Sequence, residues 1–180
     1  ASYPQNSPQR EEINSAVKTF LHSLHEGDVF SLGLFLSDSI WLSRKSIPVI
    51  QDNIKLARNF LSRKVGTGGP NLSDALKKGF SVRKSSSSIP RHLVLITHGR
   101  MTDDGKLFSI IQDELKKKEP RSLSVLCIEA CPNAALIEEL ARKGKGIARF
   151  VTTSNGKKDA TNSIEGMVRE LHEHSSHELF

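Results

Sequence analysis

Arg91-His92-Leu93-Val94-Leu95-Ile96-Thr97-His98-Gly99-Arg100-Met101 is the stretch on which the fold turns. Its apolar run is short, rich in β-branched residues, and stops abruptly at Thr97-His98-Gly99. Such a run reads as a buried strand with a sharp exit. In open α/β sheets, ligands gather just beyond the carboxyl ends of the strands. Thr97, His98, Gly99 and Arg100 are therefore candidate rim residues.

On either side of this strand the apolar periodicity alternates between strand and helix. Ile13, Ala16, Val17, Phe20, Leu21 and Leu24 recur at helical spacing and predict an amphipathic helix over 11–25. Gly27 and Asp28 turn the chain. Val29 to Leu36 reads as one buried strand, with Ser39 to Ser43, including Trp41, as its hairpin partner. Pro48 is expected to open a helix over 49–63. Asn71 or Ser73 caps another that runs to Phe80. Helices over 106–118, 133–143 and 159–172 alternate with strands over 123–128 and 147–152. This order predicts an α/β fold, with a doubly wound, mainly parallel sheet flanked by helices and right-handed crossovers. Residues 1–10 read as a flexible lead-in, 11–172 as one domain and 173–180 as a polar, frayed tail.

The chain has 180 residues, 37% hydrophobic and 26% charged, which suits a single domain with a sizeable core. No apolar run approaches the roughly 20 residues that span a bilayer. The formal net charge of +6 permits attraction to polyanions. The basic residues are dispersed, however, and carry few aromatic neighbours to stack bases, so nucleic acid is the less favoured partner. Two cysteines, Cys127 and Cys131, make neither a disulfide framework nor a zinc site. Cys127 is expected as a buried thiol, a bridge to Cys131 being the less favoured alternative. The pair mildly favours a reducing compartment.

Several segments then fall into a familiar order. They are Glu12-Ile13-Asn14-Ser15-Ala16-Val17, Leu24-His25-Glu26-Gly27-Asp28-Val29-Phe30, Gly68-Gly69-Pro70-Asn71-Leu72-Ser73-Asp74-Ala75-Leu76, Leu93-Val94-Leu95-Ile96-Thr97-His98-Gly99, Asn133 to Ala141, and Gly146 to Val151. Together the segments resemble a von Willebrand factor A (vWA) domain of the type found with the vault inter-α-trypsin (VIT) domain. The resemblance implies a metal-ion-dependent adhesion site at the carboxyl end of the sheet. Three elements would build that site: an Asp-x-Ser-x-Ser loop, a Thr in a Gly-Gly-Thr loop, and the Asp of Thr-Asp-Gly. Such hard oxygen ligands suit Mg²⁺.

This sequence departs from all three. Asp-x-Ser-x-Ser is absent, Pro70 stands at the Thr position, and His98 stands at the Asp position. Thr67 and Asp103 are only weak substitute ligands. No cofactor is expected, and Mg²⁺ would need upstream residues to complete the site. The resemblance also implies a central first strand that this sequence lacks, so a truncated piece of a larger chain is expected. The VIT-type likeness implies an intracellular, cytoplasmic location.

The favoured function is a non-enzymatic protein-interaction domain. Its rim would be Gly68, Gly69, Pro70, Asn71, Ser73, Thr97, His98, Gly99 and Arg100, with His98 and Arg100 meeting acidic groups of another protein. Two alternatives remain. One is a polyanion or nucleic-acid binder. The other is a hydrolase-like enzyme with His98 as base, oriented by Asp103 or Asp104. The enzyme reading lacks a nucleophile loop, since no Gly-x-Ser-x-Gly elbow occurs.

Overall fold

A computed structural model describes residues 7–63, 69–84, 91–101, 105–152 and 157–177, with side chains described up to Glu173 from Lys158 onward in the last segment. The first helix, α1 (Pro8–His22), begins earlier than the apolar stripe predicts. Ser7 is its N-cap, accepting the Arg10 N–H on its hydroxyl at 3.3 Å, and Pro8 occupies the first turn. Proline suits that place because its missing N–H would lack a helical partner anyway. Residues 8–10 are therefore helix, not lead-in.

The strand predicted over Val29–Leu36 is in fact two. β1 (Val29–Phe30) pairs antiparallel with β4 (Ile47–Pro48), and β2 (Gly33–Phe35) pairs antiparallel with β3 (Ser39–Trp41). The hairpin partner is as expected, but the chain changes partners at Ser31 and Leu32. Ser31 donates its hydroxyl to the Ser43 carbonyl, and Leu42 donates its N–H to the Leu32 carbonyl. Gly33 faces Trp41 so closely that a Cβ there would lie 2.7 Å from the indole. Pro48 ends β4 instead of opening a helix, and α2 (Gln51–Leu61) starts beyond it.

The main sheet contains β5 (His92–Thr97), β6 (Ser122–Ile128) and β7 (Lys145–Val151), all parallel in the order β5-β6-β7. Period-two alternation sends successive side chains to opposite faces. Leu95, Leu123, Val125 and Cys127 pack with α3 (Leu72–Ser81), α4 (Leu107–Leu115) and α5 (Ala134–Lys143). Leu126, Ile128, Val94 and Ile96 pack with α1 and α6 (Lys157–His177). Helices thus cover both faces, the doubly wound arrangement expected. α6 continues through His177, into the stretch read as a frayed tail, since neither Gly nor Pro occurs between Glu173 and His177.

Two features tie the layers together. Gly146 lies so close to β6 that a Cβ there would sit 2.2 Å from the Leu123 carbonyl oxygen. The buried Ser124 hydroxyl accepts the Ile147 N–H at 3.0 Å beside this approach. Glu114, 1% exposed in its side chain, pairs at 3.1 Å with Arg121, whose guanidinium also donates to the Phe80 and Val82 carbonyls at the end of α3. A buried charge needs this complete pairing.

Candidate functional site

The loop leaving β5 is anchored from three directions. Thr97 is buried, and its hydroxyl accepts the Gly99 N–H at 3.1 Å. His98 is 5% exposed and turns inward beneath α1. Its Nε2 lies 2.8 Å from the Gln9 carbonyl oxygen and 3.5 Å from a Glu12 carboxylate oxygen. A carbonyl only accepts, so Nε2 carries the proton and donates. Gly99 has φ +72°, a left-handed conformation that favours glycine. A Cβ there would meet Cys127 Sγ at 3.1 Å, Ile137 at 3.2 Å and the Cys131 Cα at 3.3 Å. Arg100 is exposed, whereas Met101 is buried and accepts a hydrogen bond from Asn133 on its carbonyl.

Below Gly99, Cys127 and Cys131 are joined in a disulfide, their Cα atoms 6.4 Å apart. This corrects the expectation of a buried thiol. The pairing follows from placement. Cys127 ends near the carboxyl end of β6, and the chain turns through Glu129, at φ 63°, bringing Cys131 back over it.

The second candidate loop approaches α3. Gly69 is exposed and Pro70 half-buried. Asn71 is the N-cap, its side-chain oxygen accepting the Asp74 N–H at 3.0 Å. The Asn71 N–H donates to the Leu36 carbonyl at 2.7 Å, which joins this loop to the end of β2. Ser73 is buried, so its side chain is packed instead of presented. Leu72 and Met101 share one core cluster, which draws both loops to one end of the fold. Thr67, Gly68, Asp103 and Asp104 lie outside the described residues.

A small polar network stands beside the α3 loop. Ser39 donates to Asp74 at 2.8 Å, and Lys78 lies 3.0 Å from both Asp38 and Asp74. The Lys78 hydrogen bond holds the Asp38 carboxyl below its ordinary range, and the Asp74 and Asp38 hydrogen bonds raise Lys78.

A cavity of about 680 Å³ runs alongside β5, from Leu36 and Leu72 to Lys84, Arg91 and Arg121. Its walls include Leu93, Val94, Leu95 and Ile96 of β5, with Leu34 and Trp41 of the hairpin opposite. Consecutive strand residues point to opposite faces, so a cavity touching all four runs along an edge. Among the described residues, β5 pairs only with β6, and that edge has no partner strand. Trp41 Nε1 is buried with no hydrogen-bond partner among the described residues.

At the other end of β5, Arg83, Lys84, Arg91, Lys117 and Lys118 gather around a cleft of about 610 Å³. Glu119 pairs with Lys84 there and partly offsets the charge. Sequence dispersal had concealed this grouping, because its members come from the ends of α3 and α4 and from the approach to β5.

The family described as von Willebrand factor type A domain matches residues 1–150. A von Willebrand factor A domain-containing protein of Dictyostelium discoideum is 26% identical over 143 residues, covering 78% of this chain; the chain spans 7% of that relative's length. Three solved structures share the fold. A von Willebrand factor type A protein from Catenulispora acidiphila has a TM-score of 0.69 at 13% identity, covering 88% of this chain and 37% of that one. The conserved hypothetical protein BatB from Bacteroides thetaiotaomicron has 0.64 at 16%, covering 89% and 88%. An aerotolerance-related membrane protein from Bacteroides fragilis has 0.64 at 18%, covering 91% and 92%. At these identities the likeness speaks for the fold. No described helix is long and apolar enough to cross a membrane.

Proposed function

We propose that this chain, which belongs to the von Willebrand factor type A family, is a non-enzymatic protein-interaction domain that works without a rim metal. The observation that carries the reading is the inward turn of His98 onto the Gln9 carbonyl at 2.8 Å. The family resemblance puts a metal-binding acid at that position. An imidazole is a poor Mg²⁺ ligand, and this one already spends its Nε2 proton on the backbone. Pro70 offers no side-chain oxygen, and the Thr97 hydroxyl accepts from Gly99. These residues do not fit Mg²⁺.

The contact surface then passes to Arg100, with Gly69, Pro70 and Asn71 on the neighbouring loop. His98 and Ser73 position it from below, as does Gly99. Arg100 supplies the positive charge that a cation gives elsewhere, and its preferred contact is an acidic group on the partner protein. His98 is a poor general base here, because it is buried and its Nε2 is a donor. The edge of β5 without a partner strand among the described residues, and the cavity beside it, support a further part of the reading, that the domain lacks its central strand. VIT-type kinship and an intracellular location belong to the same proposal.

The test is a pull-down from matched lysates, with and without chelator, using the chain and Arg100→Ala. Binding that survives chelation and falls with Arg100→Ala supports the reading. Binding that disappears with chelator overturns it. A second reading, polyanion binding, is favoured by the basic cleft at Arg83, Lys84, Arg91, Lys117 and Lys118. Heparin or oligonucleotide binding that falls steeply with salt would support it.

A further inference from the structure

Two residues of the turn after α1, His25 and Asp28, meet a third from the far end of the chain, His172. His172 of α6 places Nε2 at 2.9 and 3.1 Å from the two carboxylate oxygens of Asp28. The His25 ring stacks on His172, centroids 4.6 Å apart and planes 12° from parallel. One ligand atom from each of the three lies within 4.8 Å of the others. We infer that His25, Asp28 and His172 form a binding site for a borderline divalent cation of the Zn²⁺ type.

The donor set decides the class of metal. Two imidazoles and one carboxylate suit Zn²⁺ and its neighbours, whereas Mg²⁺ prefers oxygen alone. A hydrogen bond between His172 and Asp28 would by itself need no second imidazole. The stacked His25 ring adds a third ligand where the first two converge.

The backbone fixes two of the three ligands locally. Asp28 accepts the His25 N–H on its carboxylate at 2.8 Å and donates its own N–H to the His25 carbonyl at 3.1 Å. Gly27, at φ +98°, makes the tight turn between them. The Asp28 carbonyl also accepts the Val49 N–H at 2.9 Å, so the residue just after β4 holds the turn from behind. His172 is presented by α6, which packs on α1.

Metal–ligand bonds of about 2.0–2.1 Å bring tetrahedral ligands to about 3.3–3.4 Å of one another. His25 is exposed and free to rotate the remaining distance, while Asp28 and His172 are half-buried. Such a site has three protein ligands and an open side, with water as the fourth ligand. Its effect is to staple the turn at Asp28 to α6, so bound metal stabilises the fold by mass action.

The experiment is calorimetric titration of the chelator-stripped chain with ZnCl₂, paired with the visible absorption of the Co²⁺ form. The variants are His25→Gln, Asp28→Asn and His172→Gln, each checked by circular dichroism. His174→Ala/His177→Ala is the control for metal bound by the end of α6. One saturable Zn²⁺ per chain is expected, weakened at least about tenfold by each ligand variant and unchanged in the control. The exposed His25→Gln keeps the test decisive if His172→Gln fails to fold. Absence of saturable uptake at submillimolar Zn²⁺ would overturn the site. So would undiminished affinity in His25→Gln and Asp28→Asn, or loss of binding in the control.

Discussion

His98 Nε2 and the carbonyl oxygen of Gln9 lie 2.8 Å apart, although 89 positions separate them along the chain. The contact fastens the first turn of α1 to the loop leaving β5. It makes the residue after Thr97 a strut under the rim.

Replacing His98 by Asp therefore does not restore an adhesion-type metal site. The new carboxylate would face the Gln9 carbonyl and stand near Glu12, acceptor against acceptor. A loss of about 1–3 kcal/mol or more is expected, the penalty of a buried group without its donor. His98→Gln, which keeps an N–H donor, should lose less. Chemical denaturation of both variants checks this, and neither melt should rise with Mg²⁺.

Glu114 and Arg121 give a second, larger expectation. Arg121→Met leaves the Glu114 carboxylate buried without its guanidinium and strips donors from the Phe80 and Val82 carbonyls. Breaking one side of such a pair costs about 3–5 kcal/mol. The Glu114→Met/Arg121→Met double variant should cost less than the sum of the two single changes. A double-mutant cycle in urea measures the coupling.

Gly146→Ala probes the approach of β7 to β6. The added methyl group would meet the Leu123 carbonyl, so the strands must separate or shift register. Overpacking of this kind costs typically about 1–3 kcal/mol. Gly69→Ala, where a Cβ meets nothing within 4 Å, serves as the contrast and should melt close to the parent.

Acid sensitivity follows from the surface carboxylates. The Arg142 hydrogen bond lowers Glu139, and the Lys84 hydrogen bond lowers Glu119. A carboxyl depressed in the folded chain contributes stability above its unfolded value. That contribution is lost as pH falls through the folded value. Lys78, which is raised, loses its contribution at the alkaline end, as pH rises through its folded value. Glu139→Gln should flatten the acid limb of a melting-temperature profile. Added salt should flatten it also, because these pairs are exposed.

The sequence disclosed what local pattern controls. The apolar run at Leu93–Thr97 appears as read, the stripe from Ile13 to Leu21 lies on α1 although the helix stops at His22, short of Leu24, and of the two caps offered, Asn71 and Ser73, Asn71 is the one used. Their signals lie within one element. The division of Val29–Leu36 was hidden, because a strand breaks where its partners change, and partners are set by tertiary contacts. The inward turn of His98 was hidden for the same reason, since its acceptor is a backbone atom in a helix far upstream. The burial of Glu114 is set by Arg121, Lys117 and the end of α3, contacts that no local pattern in the sequence carries. Ser7-Pro8 carried a legible start signal, a capping serine followed by a first-turn proline, that the apolar periodicity overshadowed.

The edge of β5 that has no partner strand among the described residues also determines how solvent hydrogen reaches the sheet. Amides along a strand point alternately left and right, so those of β5 face β6 and the cavity by turns. In heavy water, those facing β6 should retain their protons while their immediate neighbours exchange. β6, paired on both sides and closed to solvent at Leu123, Val125, Leu126 and Cys127, should hold its protons longest. The slowest-opening part of the molecule is then the middle strand, and the strand beside it carries a two-residue rhythm of protected and labile amides.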